Sequence, residues 1–194
     1  MNKDLLNKEI ELLKLLDHPN VIHLREIWKQ DSCSMVHLVM ELAAGPDLYL
    51  DLKTAQFYQE DIAAHIFIDA LQAVRYVHSM GIVHRDLKLS NFVFARPYEN
   101  RKEFPPPLKL IDFGFSESFI GKSSMKQVVG TSYFLAPEIA KECGYDERCD
   151  MWSMGVILYV LCLFLPPRIQ LNLLTQNSLT HQIHDTLRRG TIFW

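Results

Sequence analysis

The stretch from Gly81 to Phe94, GIVHRDLKLSNFVF, constrains the chain more than any other segment. It sets an acid, Asp86, five residues ahead of an amide, Asn91, with Lys88 between them and His84 and Arg85 just before. Apolar residues flank this polar group on both sides. The closing run, NFVF, is followed by the polar, proline-rich ARPYENRKEFPPP and then by a second apolar run, LKLIDF. Two short apolar runs split in this way predict a hairpin with an exposed loop.

The rest of the chain supplies a helical frame. Residues 3–16 place leucines among charges at helical spacing, and Pro19 in DHPN stops the pattern. VIHLREIWKQ and SMVHLVMEL read as two strands joined by QDSCS, and AAGPDLYLDL as a turn leading into a helix. Residues 60–79 form the clearest amphipathic helix, closed by Gly81. Residues 114–135 read as irregular, and residues 150–165 as an apolar helix. A helix, a few strands and then mostly helices predict a small mixed part followed by a larger helical part.

Composition excludes several classes. The 194 residues, 48% apolar and 22% charged, suffice for one globular domain with a core. A net charge of -3 without a long basic run argues against nucleic acid as a partner. Cys33, Cys143, Cys149 and Cys162 form no CxxC pair, so they read as reduced thiols of a cytoplasmic protein rather than a redox or zinc site. The N-terminus has no signal-peptide core. The uncharged run 151–165 is fifteen residues long, short of the roughly 20 that span a bilayer. A buried core helix is expected there, with an interfacial helix as the alternative, and a monomer that does not bind membranes.

The polar groups suit phosphoryl transfer. That reaction asks a protein for positioning, Mg2+ ligands and neutralised charge rather than covalent chemistry. Asp86 could accept or orient the proton of an acceptor hydroxyl, and Lys88 could meet the transferred group. Asn91 and Asp112 of IDFG offer the hard oxygens that Mg2+ prefers. Gly114 lets the chain turn after Phe113.

HRDLKLSN, IDFG, APE and DMW, in that order, resemble the signature of eukaryotic protein kinases. LKLIDFGFS, VVGTSYFLAPEI and YDERCDMWSMGVILYVL are similar to the calcium/calmodulin-dependent group and to calcium-dependent protein kinases of plants and protists. The resemblance covers nearly the whole chain. It implies an α+β, two-lobed kinase-like fold, with residues 1–42 as a remnant of the small lobe and 43–194 as a shortened large lobe. It also implies ATP-dependent phosphorylation of protein Ser/Thr hydroxyls, with ATP and Mg2+ as cofactors and proteins as substrates.

Residue by residue, the resemblance makes Asp86 the catalytic base and Asn91 and Asp112 the Mg2+ ligands. Lys88 marks the serine/threonine form of the loop, and Thr131 the residue that bonds Asp86 and Lys88. Glu9 takes the place of the helix-C glutamate, and Met40 that of the gatekeeper. Glu41 to Ala43 would form the adenine-binding hinge, acting through backbone groups. Asp47 would belong to the nucleotide site and retain one of the acids carried by relatives that prefer basic peptides. Leu13, Leu24, His84 and Phe113 resemble four stacked spine residues, and Asp150 their anchor, so His84 is expected to be structural.

Several positions depart from the family pattern. Only eight residues precede Glu9, too few for a glycine-rich hairpin and the lysine strand after it, and no GxGxxG or GxxxxGK occurs. The segment after Pro167 is a poor match, and the arginine that would pair with Glu138 is not found. A shortened domain with weak activity, or a non-catalytic interaction module, is therefore expected. Gln127 falls where many kinases carry an activating phosphothreonine, although Arg85, its usual partner, is present. Leu89 and Ser90 replace a proline and a glutamate common in relatives, and Val160 stands where an acid is frequent. Ser123 and Ser124 are candidate phosphosites, and Arg188 and Arg189 a solvated face. No EF-hand loop of the form DxDxDG occurs.

Overall fold

A computed structural model describes residues 3–30, 35–98, 103–120, 125–141 and 144–162. The expectations for Cys33, Cys143, Ser123, Ser124, Arg188 and Arg189, and for the end of the apolar helix beyond Cys162, lie outside the described residues. Helix α1 (Lys3–Leu15) buries Ile10, Leu12 and Leu13. Past its end the Tyr76 hydroxyl accepts from the Asp17 amide at 2.9 Å, and His18 stacks on the Tyr76 ring at 4.8 Å. These contacts fix the end of α1 on a second helix far along the chain.

Strands β1 (Leu24–Gln30) and β2 (Met35–Met40) form an antiparallel hairpin, with an irregularity between Leu24 and Glu26. The strand expected from Val21 begins at Leu24. Val21 and Ile22 instead pair with Leu110, and the Ile22 amide donates to the Leu110 carbonyl at 2.9 Å. Helix α2 (Leu48–Ala55) follows the predicted turn, and Asp47 caps it by accepting from the Leu50 amide at 2.8 Å.

Helix α3 (Glu60–Ser79) matches the predicted amphipathic span. Ile62, Ile66, Ala70, Ala73, Val74 and Val77 form its buried face, recurring at helical spacing. Gly81 follows at φ +71°, where a side chain would also run into Ile120 at 2.3 Å. Strand β3 (Ile82–Val83) leads into the loop that carries His84, Arg85 and Asp86. Strands β4 (Phe92–Phe94) and β5 (Leu108–Leu110) form the second predicted hairpin, shorter than LKLIDF suggests because the chain turns left-handed at Asp112.

The segment after Asp112 is not wholly irregular. Strand β6 (Glu117–Ser118) pairs antiparallel with β3, setting Glu117 opposite Val83. A short turn at Ser132–Phe134 and helix α4 (Pro137–Ala140) then lead to α5 (Arg148–Cys162). Helix α5 contributes Met154, Val156, Ile157, Val160 and Leu161 to the main core, beside Phe92, Phe94 and Phe113. Val160 thus fills a packing position. Each such fully buried side chain contributes about 1.5–3 kcal/mol. Among the described residues no helix is long and apolar enough to cross a membrane.

One acid ties these parts together. Asp150, in the first turn of α5, is 1% exposed. Its carboxylate accepts from the backbone amides of His84 at 2.8 Å and Arg85 at 2.9 Å, and meets the His78 ring at 2.8 Å. Substituting Asp150→Ala leaves two buried amides without an acceptor. We expect a loss of about 3–5 kcal/mol in urea unfolding, while Asp146→Ala, which breaks an exposed pair with Arg148, stays near wild type.

Candidate functional site

The loop after β3 is shaped by Asp150 from below. Arg85 adopts φ +68°, a left-handed conformation that L-residues disfavour. The bond from its amide to Asp150 holds it there, and Gly130 lies over it so closely that a Cβ would sit 2.5 Å from the Arg85 carbonyl oxygen. The reversal sends the Arg85 side chain one way and Asp86 the other.

Asp86 is buried, and both of its carboxylate oxygens are held. Oδ1 accepts from the Thr131 hydroxyl at 2.6 Å, and Oδ2 from Lys88 Nζ at 2.6 Å. Lys88 also donates to Thr131 Oγ1 at 3.2 Å, closing a three-residue ring. Asn91 Nδ2 donates to the Asp86 carbonyl at 2.9 Å and reaches Oδ2 at 3.4 Å. The structure thus brings Asp86, Lys88, Asn91 and Thr131 into one cluster. The opposite atom of the amide, Asn91 Oδ1, remains available as an acceptor.

His84 stands behind this cluster as a fixed support. Its Nδ1 accepts from the Asp86 amide at 3.3 Å, so Nε2 carries the proton and donates to the Ile111 carbonyl at 3.2 Å. Burial pushes its pKa down, against the pull of Asp150. A neutral imidazole with both nitrogens engaged does not serve as a base, which agrees with the structural part expected of it. The His84 ring meets Phe113 edge-on at 5.1 Å. Leu13, Leu24 and Phe113 are buried in the same main core.

Asp112, like Arg85, is left-handed, at φ +63°. The reversal turns Phe113 into the core and leaves Asp112 exposed. Its Oδ1 accepts from the Gly114 amide at 3.3 Å, and the Ile111 amide bonds the Asn91 carbonyl at 2.9 Å, which ties the two segments together. Glu9, on α1, faces the same turn: a Cβ added to Gly114 would lie 3.3 Å from Asp112 Oδ1 and 3.9 Å from Glu9 Oε2. Burial raises the pKa of Glu9, and the nearby Asp112 charge raises it further. Asn91 Oδ1 and the Asp112 carboxylate are oxygen donors of the kind that Mg2+ takes, so the residues present fit that ion.

The other predicted residues lie at the end of β2 and on the segment joining it to α2. Met40 packs against the main core. Glu41 uses its carboxylate structurally, accepting from the His23 amide at 2.9 Å and from Lys109 Nζ at 2.7 Å. Burial raises its pKa, but the bonds from Lys109 and His23 outweigh this and hold it below the ordinary value. Ala43 is half-buried and Leu42 is 84% exposed. Asp47 commits Oδ1 to capping α2.

Sequence reasoning missed the surroundings of the Arg85 side chain. Nε donates to the Phe115 carbonyl at 2.6 Å, Nη1 donates to the Tyr145 hydroxyl at 3.2 Å, and Nη1 pairs with Glu117 Oε2 at 2.7 Å. Glu117 Oε1 reaches Lys8 Nζ at 3.1 Å. No local pattern announces these partners: Tyr145 lies 60 residues from Arg85 in sequence.

Comparisons with known proteins point to one family. A family model described as the protein kinase domain matches residues 1–190. The chain is 40% identical over 167 residues to the calcium/calmodulin-dependent protein kinase type IV of Homo sapiens, covering 86% of this chain and 34% of that protein. It is 37% identical over 166 residues to calcium-dependent protein kinase 5 of Plasmodium falciparum (isolate 3D7), covering 86% and 28%. With calcium-dependent protein kinase 14 of Arabidopsis thaliana it shares 38% over 163 residues, covering 84% and 29%. The chain spans about a third of the length of these relatives.

The position of Glu9 generates a pH prediction. A carboxyl whose folded pKa is raised binds more protons folded than unfolded, so stability falls as pH rises from the ordinary value of 4.5 through the raised one. Glu9→Gln removes that loss. We expect the variant to melt higher than wild type at pH 7 without ligand, with the difference vanishing below pH 4.5; thermal unfolding across that range checks it.

Proposed function

Because the chain belongs to the protein kinase family, we propose that it transfers a phosphoryl group from ATP to serine or threonine hydroxyls of proteins. The observation that carries this reading is the Asp86 carboxylate, fixed by Thr131 on one oxygen and by Lys88 on the other. A carboxylate so held would orient an incoming hydroxyl and take its proton as the oxygen bonds to the γ-phosphorus of ATP and ADP leaves. Lys88 sits where negative charge develops and offsets it. Thr131 fixes the angle of the carboxylate, and its contact with Lys88 matches the serine/threonine form of the loop.

Asn91 and Asp112 would hold Mg2+, which when bound with ATP supplies positive charge to the phosphate oxygens. The bond between Asn91 Nδ2 and the Asp86 backbone leaves Oδ1 for that purpose. The backbone of Glu41 to Ala43 would receive the adenine. Its course is fixed by Lys109, which clamps the Glu41 carboxylate. Protein substrates would present their hydroxyl to Asp86, with Asp47 Oδ2 as one acidic contact near the site.

A second reading has its own observation. Among the described residues Glu9 faces Asp112, another acid, rather than a lysine. A chain with such a cleft serves as a non-catalytic module that binds partners through the kinase-like surface.

Phosphoryl transfer from ATP to a mixture of Ser/Thr peptides, measured on the full chain, separates the two. We expect turnover that falls about 10²–10⁴-fold in Asp86→Asn. Equal rates for wild type and Asp86→Asn, with no heat of Mg-ATP binding in calorimetry, favour the module.

A further inference from the structure

We propose that Glu117 is a positioning residue that couples helix α1 to the catalytic-type loop through the relay Lys8–Glu117–Arg85. Its effect on turnover rests on the kinase reading above; the coupling itself does not.

Arg85 is the starting point. Its side chain is 4% exposed, and a guanidinium keeps its charge at any ordinary pH. A buried cation requires a partner. Phe115 and Tyr145 give it neutral acceptors, and Glu117 gives it an anion at 2.7 Å. The position of that anion is set by the backbone, because β6 pairs with β3 and holds Glu117 opposite Val83, one residue before His84. That pairing holds the backbone of Glu117 beside the loop.

The second oxygen of Glu117 faces the other way. Oε1 meets Lys8 Nζ at 3.1 Å, and Lys8 is 39% exposed, so this half of the bridge lies nearer solvent and is the weaker. Lys8 precedes Glu9 on the same helix. Holding Lys8 to Glu117 thus sets where Glu9 stands against Asp112 and Gly114. One carboxylate joins the loop that carries Asp86 to the helix that carries Glu9, and Arg85 Nη1 extends the connection through Tyr145 to the Gln127 carbonyl, which accepts from the Tyr145 hydroxyl at 2.6 Å. Gln127 therefore lies on the same network through its backbone.

The test uses the full chain with Lys8→Met, Glu117→Gln, the double variant, Glu117→Asp, and Lys14→Met as a control. Lys14 also leaves α1, but it pairs with Glu11 on its own helix. Amide hydrogen exchange and turnover are measured on each. Lys8→Met and Glu117→Gln should each speed exchange in α1 and lower kcat about 5–10-fold, with exchange in α5 unchanged. The double variant should be no worse than Glu117→Gln alone, as expected for two members of one relay, and Glu117→Asp should recover part of the loss. Additive effects in the double variant would overturn the proposal, and so would Lys8→Met behaving like Lys14→Met. If Glu117→Gln does not fold, the Lys8→Met comparison with the control still decides. If wild type shows no turnover, the kinase reading fails, and the exchange data alone judge the coupling.

Discussion

Asp150 belongs to α5, yet its carboxylate is committed to a loop more than sixty residues earlier. Two adjacent amides and an imidazole converge on one buried anion. Those bonds hold Arg85 in a left-handed conformation that costs about 1–2 kcal/mol by itself. The reversal then separates two neighbours. Arg85 goes down into an ionic network and Asp86 goes up into the cluster with Thr131, Lys88 and Asn91. The helix therefore acts as a template for the loop, and Asp150 shapes it through the backbone of His84 and Arg85.

Asp112 repeats the device on the facing segment. A second left-handed residue turns an apolar ring inward and an acid outward. His84 joins the two by packing its ring at a steep angle against Phe113 while bonding the Asp86 amide and the Ile111 carbonyl. Both reversals occur at residues other than glycine, so each is held by surrounding contacts rather than by backbone freedom. That is the usual condition of a preorganised site, in which polar groups are positioned before any ligand arrives.

How much of this was legible in the sequence depended on distance along the chain. Helix α3 was plain, because its apolar positions repeat at helical spacing over the whole element. The grouping of Asp86, Lys88 and Asn91 was readable because all three sit within one short motif. The pairing of β3 with β6 was not, since each strand has two residues and no alternation can show over so short a run. Nothing in the sequence marks Glu117, which pairs with a buried arginine. Glu41 was read for its backbone, and the structure adds a side chain clamped by Lys109. The start of β1 was misplaced because Val21 and Ile22 are as β-prone as their neighbours, and only their pairing with Leu110 distinguishes them.

The closeness of Glu9 and Asp112 has a thermodynamic meaning beyond the geometry of the cleft. Two acids facing one turn store repulsion in the bare fold, and any cation that settles between them releases it. Affinity for that cation then exceeds what its own contacts supply, the excess being repulsion already present before binding. Folding stability and ligand affinity are drawn from one reservoir at this place: a substitution that relaxes the bare chain weakens its hold on positive charge, and one that tightens that hold leaves the bare chain less stable.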